Sequence, residues 1–177
     1  MSNIIYIATS LDGYIAKKDG GIDWLTDIPN PEGSDFGFGE FLKCIDAIVM
    51  GRNTFELVLT FNEWPYNKPV FVLSETLHSL PENLEGKAEI SKGDPESIVK
   101  EMNSRGHINL YIDGGKTIQG FLKQGLIDEM IITRIPVLLG DGIPLFGFLS
   151  AEQKFKHVGT DIFNNALVRS CYKRIRN

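Results

Sequence analysis

The sequence predicts an α/β domain built on a largely parallel sheet. Short runs rich in Val and Ile recur along the chain without polar alternation, as strands buried on both faces require. Segments with helix start signals lie between them, so strand and helix alternate. The last stretch departs from this rhythm and reads as an antiparallel hairpin.

The strands expected are Ile4–Ala8, Ala47–Met50, Val70–Leu73, Asn109–Ile112 and Met130–Ile135. Four helices fit between them. Residues 35–44 follow Ser34, a candidate N-cap, and residues 53–60 follow Gly51-Arg52. Residues 95–104 follow Asp94, with Pro95 in the first helical position. Residues 116–123 follow Gly114-Gly115. Residues 154–163 and 166–175 flank Asn164-Asn165, a two-residue hairpin turn. Residues 19–34, rich in Gly, Pro, Asp and Asn, read as a long loop of the kind that often carries function. No repeat or long linker divides residues 1–177, so one domain is expected.

Composition narrows the partners. With 42% hydrophobic and 23% charged residues the chain is ordinary for a globular protein. Its net charge of −5 gives no general attraction to nucleic acid or acidic lipid. No apolar run is long enough for a membrane span, and the start lacks the pattern of a secretory signal, so a cytoplasmic protein is expected. Cys44 and Cys171 form no C-x-x-C pair and are expected as small core residues. His78, His107 and His157 have no metal-ligand spacing, so no metal is expected.

Two glycine turns carry the chemistry. Leu110-Tyr111-Ile112-Asp113 runs into Gly114-Gly115-Lys116-Thr117, and Ile48-Val49-Met50 runs into Gly51-Arg52-Asn53-Thr54. In each, a strand meets glycine and then a helix start. Amide groups at such a start hold phosphate, and glycine lets it approach the main chain. Lys116 and Arg52 add full charges, and Thr54 and Thr117 add hydroxyls. Taken alone, each also reads as a plain tight turn. Val72-Leu73-Ser74 is a third strand end with a hydroxyl. A P-loop is excluded because its first glycine falls on Leu110, and no G-x-G-x-x-G follows a strand. Open α/β sheets bind ligands outside the carboxyl ends of their strands, so these turns together suit a dinucleotide.

In this order the turns resemble dihydrofolate reductase and, more closely, the reductase domain of the bifunctional riboflavin-biosynthesis deaminase-reductase. The resemblance extends through Ile7-Ala8-Thr9-Ser10-Leu11-Asp12-Gly13-Tyr14-Ile15-Ala16 and Met50-Gly51-Arg52-Asn53-Thr54-Phe55-Glu56. Its most specific part is Pro136-Val137-Leu138-Leu139-Gly140-Asp141-Gly142-Ile143-Pro144-Leu145-Phe146, which is similar to the riboflavin-type reductases and unlike dihydrofolate reductases proper.

The resemblance implies a dihydrofolate-reductase-like three-layer α/β/α fold and hydride transfer from NADPH to a small heterocyclic substrate. It implies that Ala8, Ile15 and Ala16 border the nicotinamide ring. Gly51, Arg52, Thr54, Leu73, Ser74, Gly114, Gly115, Lys116 and Thr117 would then hold the phosphates and adenosine. Lys116 and Arg52 favour the extra phosphate of NADP, whereas Glu75 would repel it. Trp24 corresponds to the family's loop tryptophan, and Thr133 joins it as a substrate-side candidate. Asp35 and Glu40 compete for the single helix acid of the family, and Phe36, Phe38 and Phe41 offer walls for a flat ring or simply core. A homodimer is expected, with Val137–Phe146 apolar enough to contribute. A dihydrofolate reductase proper and a non-catalytic nucleotide-binding protein are the competing readings.

Overall fold

A computed structural model describes residues 1–30 and 32–176. Its main sheet has eight strands: β1 (Ser2–Thr9), β3 (Ala47–Gly51), β4 (Val70–Leu73), β5 (Ala88–Ser91), β6 (Asn109–Asp113), β7 (Glu129–Arg134), β9 (Phe155–Phe163) and β10 (Leu167–Arg174). They lie in the order β5-β4-β3-β6-β1-β7-β10-β9. The first six are parallel, and β10 runs antiparallel to both β7 and β9. Two short strands, β2 (Tyr14–Ala16) and β8 (Ile143–Pro144), form a separate antiparallel ribbon.

Alternation within the apolar runs builds a layer on each face of the sheet. Ile5, Ala47, Val49, Phe71, Leu110 and Ile112 face one core. There they meet Ile98, Val99 and Met102 of α4 (Pro95–Ser104) and Ile118, Phe121 and Leu122 of α5 (Gly115–Lys123). Ile4, Ile48, Met50, Val70, Val72 and Tyr111 face the other. They meet Phe41 and Leu42 of α2 (Phe38–Lys43) and Phe55 of α3 (Arg52–Val58). The α4 start follows its sequence signals: Asp94 accepts from the amides of Glu96 and Ser97, and Pro95 needs no partner. The three-layer architecture and the C-terminal hairpin agree with expectation.

Several boundaries do not. The helix expected from residue 35 starts at Phe38, because Phe36 and Gly37 both have left-handed φ, 52° and 86°. Ser34 does not cap it; its hydroxyl accepts from the amide of Phe36. The next helix is Arg52–Val58 rather than 53–60, and α5 takes in Gly115. The loop 19–34 holds one helical turn, α1 (Asp23–Thr26). Strands β2 and β8 are too short to stand out, and β5, Ala-Glu-Ile-Ser, lacks the apolar run that marks β4. Neither cysteine is in the core: Cys44 is exposed at the end of α2, and Cys171 is half-buried on β10. At the hairpin, Asn164 and Asn165 have φ of 50° and 53°, and the amide of Ala166 donates to the carbonyl of Phe163. Among the described residues no helix is long and apolar enough to cross a membrane, and no His, Cys, Asp or Glu cluster could hold a metal ion.

Candidate active site

Strand register brings the glycine turns together. Met50 pairs with Asp113, and Gly51 pairs with Leu73. The carboxyl ends of β3, β4 and β6 therefore share one edge of the sheet, with α3 and α5 starting side by side. Thr54 Oγ1 occupies the space that a side chain at Gly114 would need, while a Cβ at Gly51 would lie 2.7 Å from Thr117 Oγ1. Each turn thus inserts a threonine into the other. Gly114 has φ of +89°, which frees its carbonyl to accept from the amide of Ile118 and open α5. The β2–β8 ribbon closes over this edge, with Ile15 and Ile143 against Gly115. Asp12 holds the ribbon's approach by accepting from Ser10 Oγ and the amides of Leu139 and Gly140, which keep its carboxyl below the usual range.

Toward β4, Arg52 Nε donates to Glu56 Oε1 at 2.6 Å and Nη1 donates to Thr76 Oγ1 at 3.0 Å. Ser74 Oγ accepts from the amides of Thr76 and Leu77. Lys116 is exposed in the first turn of α5.

Toward β7, one row of residues crosses four strands: Ala8, Thr133, Arg169 and Asp161 are register partners in turn. Arg169 Nη1 donates to the carbonyl of Phe36 at 2.7 Å, and Nη2 pairs with Asp161 at the same distance. Its guanidinium also lies over the Phe163 ring. Tyr6 Oη donates to the same Phe36 carbonyl. Ala8, Phe36 and Phe163 pack against the buried cluster of Trp24, Ile135 and Leu167, and Trp24 Nε1 has no hydrogen-bond partner.

Asp113 stands between these two sides. It is half-buried at the end of β6, and desolvation pushes its carboxyl up to about 6, against the lowering effect of the Gly114 amide and the Tyr111 side chain. Burial and the nearby Asp113 raise Tyr66 and Tyr111. The sequence reading passed over Asp113 as part of a strand end. The two acids it singled out are used locally. Asp35 accepts from the amides of Gly37 and Gly39, which hold it low, and Glu40 pairs on the surface with Lys43.

Two surface depressions are lined by other residues. One is lined by Gly125, Gln153, Lys154 and Arg174, the other by His78, Leu80, Pro81 and Ile90.

A family model of the RibD C-terminal domain matches residues 3–168. The chain belongs to this family. A Shewanella sp. PV-4 protein assigned to riboflavin biosynthesis is 50% identical, with a TM-score of 0.95 over 99% of this chain and 100% of that one. The Thermotoga maritima diaminohydroxyphosphoribosylaminopyrimidine deaminase/5-amino-6-(5-phosphoribosylamino)uracil reductase is 20% identical, with a TM-score of 0.75 over 98% of this chain and 56% of that longer one. Enterococcus faecalis dihydrofolate reductase, in a complex with NADP(H), is 17% identical with a TM-score of 0.68 over 98% and 96%. The last two establish the fold, which is dihydrofolate-reductase-like.

In this RibD C-terminal domain the expected cofactor-side residues fall into one band. Gly51, Arg52, Thr54, Leu73, Ser74, Gly114, Gly115, Lys116 and Thr117 lie at the ends of β3, β4 and β6 or in the helix turns that follow. Ile15 and Ala16 are on the ribbon, and Ala8 is beside Thr133. The donor set suits a diphosphate: main-chain amides opening a nine-residue helix, two threonine hydroxyls, and the Lys116 cation.

Proposed function

We propose that this chain is a reductase of a small planar heterocycle that takes a reduced nicotinamide dinucleotide, NADPH by family resemblance. The observation that carries the reading is the reciprocal fit of Gly51–Thr117 and Gly114–Thr54 on the same sheet edge as the proton-favouring Asp113. When bound, the reduced nicotinamide supplies a hydride, and the protein contributes position, polarity and exclusion of water. The start of α5, with Lys116 and Thr117, binds the diphosphate. Arg52, Thr54, Leu73 and Ser74 orient the adenosine half. Ala8, Ile15 and Ala16 border the ring.

On the substrate side, Thr133 and the unpartnered Trp24 Nε1 offer hydrogen bonds to a flat ring. Asp113, with its carboxyl raised to about 6, keeps a protonated fraction near neutral pH that can be given up as a general acid requires. The substrate class nearest to hand is the phosphoribosylaminopyrimidine named for the Thermotoga relative.

The test is a thermal-shift titration with NADPH and NADH, followed by NADPH oxidation with 5-amino-6-(5-phosphoribosylamino)uracil and with dihydrofolate. Nucleotide at about 100 times its dissociation constant should stabilise the fold by about 2.7 kcal/mol. Turnover of the pyrimidine supports the reading, and turnover of dihydrofolate moves it to a folate reductase. No shift with either nucleotide removes the redox assignment.

A further inference from the structure

The adenosine end of the edge contains a cation that is already paired. A dinucleotide whose diphosphate lies at α5, with its reactive ring toward Ala8 and Thr133, extends its other half toward β4. The cation in contact with the segment after β4 is Arg52. The Gly51–Leu73 register sets it opposite Ser74–Thr76, and its Nη1 reaches Thr76 Oγ1. Its Nε is held by Glu56 one helical turn later, with both side chains about half exposed. The pair does little for α3. An Arg in the first turn opposes the helix dipole, and the order Arg then Glu at i,i+4 is the less stabilising one. A second carboxylate, Glu75, is exposed within the same segment. Ser74 Oγ already accepts two amides.

Resting on the nucleotide reading above, we propose that Glu56 sets cofactor choice by competing with a ribose 2′-phosphate for Arg52. A 2′-phosphate must displace Glu56 to gain the Arg52 fork, whereas a free 2′-hydroxyl needs only Thr76 and the free Nη edge. The protein therefore accepts NADH beside NADPH, with a small preference in place of the large one that an unpaired arginine gives. Lys92, exposed after the β5 residue that pairs with Leu73, and Lys116 are the other cations of this edge.

The experiment is fluorescence titration of the full chain with NADH and with NADPH, for wild type, E56Q, R52Q and the double variant. Thermal unfolding of each checks folding. The wild type should bind the two nucleotides within about tenfold of each other. E56Q should tighten NADPH about fivefold, the scale of one exposed ion pair, and leave NADH within about twofold. The gain should vanish in the double variant. An unchanged ratio in E56Q overturns the proposal. So does an NADPH preference that survives R52Q, which would put the phosphate on Lys92 or Lys116. A folded wild type that binds neither nucleotide would bring down the redox reading and this proposal together, whereas nucleotide binding with an unmoved ratio defeats this proposal alone.

Discussion

Thr54 and Gly114 meet across two strand ends, the threonine hydroxyl lying where any side chain at position 114 would have to go. Gly114 also has φ of +89°, a conformation open to few residues but glycine. G114A therefore meets backbone strain and a steric clash at once. It should lose roughly 2–5 kcal/mol of stability, read by urea unfolding. G51A, with φ of −79° and only the Thr117 hydroxyl to displace, should lose less. Equal losses would mean that the interlock is not what constrains position 114.

Asp113 makes a pH prediction whose sign follows from its raised pKa. Its carboxyl goes from 3.8 to about 6 on folding. Between those values the folded chain holds more protons, so its stability falls as pH rises from about 4 to about 6. D113N removes this dependence. It should be the more stable protein at pH 7, by up to about 3 kcal/mol, with the advantage shrinking toward pH 4. Turnover should fall by about 100-fold or more, as loss of a general acid implies. Parallel stability–pH curves for the two proteins would show that Asp113 is not strained by burial.

Arg169 holds a left-handed non-glycine residue in place. Its side chain is 19% exposed, and it donates to the Phe36 carbonyl and to Asp161. R169M leaves the carbonyl of Phe36, a residue at φ of 52°, with the Tyr6 hydroxyl as its donor. A loss of about 2–3 kcal/mol is expected in chemical denaturation, the range for a hydrogen bond involving a charged group. A loss below about 0.5 kcal/mol, the level of an ordinary surface substitution, would show that the row across β1, β7, β10 and β9 is not held by this side chain.

The hairpin turn offers a local check. Asn164 and Asn165 are both left-handed, which asparagine tolerates better than most residues and β-branched residues do not. N165V should cost about 1–2 kcal/mol. N165G should match or slightly exceed the parent in melting temperature. A neutral N165V would mean that the turn relaxes to another type.

Features written in contiguous residues were legible before any coordinates. The Val/Ile runs mark the central strands, and the strand–glycine–helix junctions mark the sheet edge of the candidate site. Asn164-Asn165 marked the hairpin. What escaped depends on distant neighbours. Asp113 is adjacent to the glycines that drew attention, yet its elevated pKa comes from burial and from the surroundings that it shares with Tyr66 and Tyr111. Arg169 reaches the site only because two strand registers align it with Thr133 and Ala8. Asp35 sits where a helix start was expected, and the left-handed pair Phe36-Gly37 moves that start three residues on. Four-residue β5 is legible only once β4 is there to pair with it.

The placement of β10 has a consequence for how the molecule is assembled. Last of the strands in chain order, it is inserted between β7 and β9. Edge strand β9 has β10 as its one partner in the sheet, so its ladder depends on Leu167–Arg174. The Thr133–Arg169 pairing is therefore completed by the last strand of the chain.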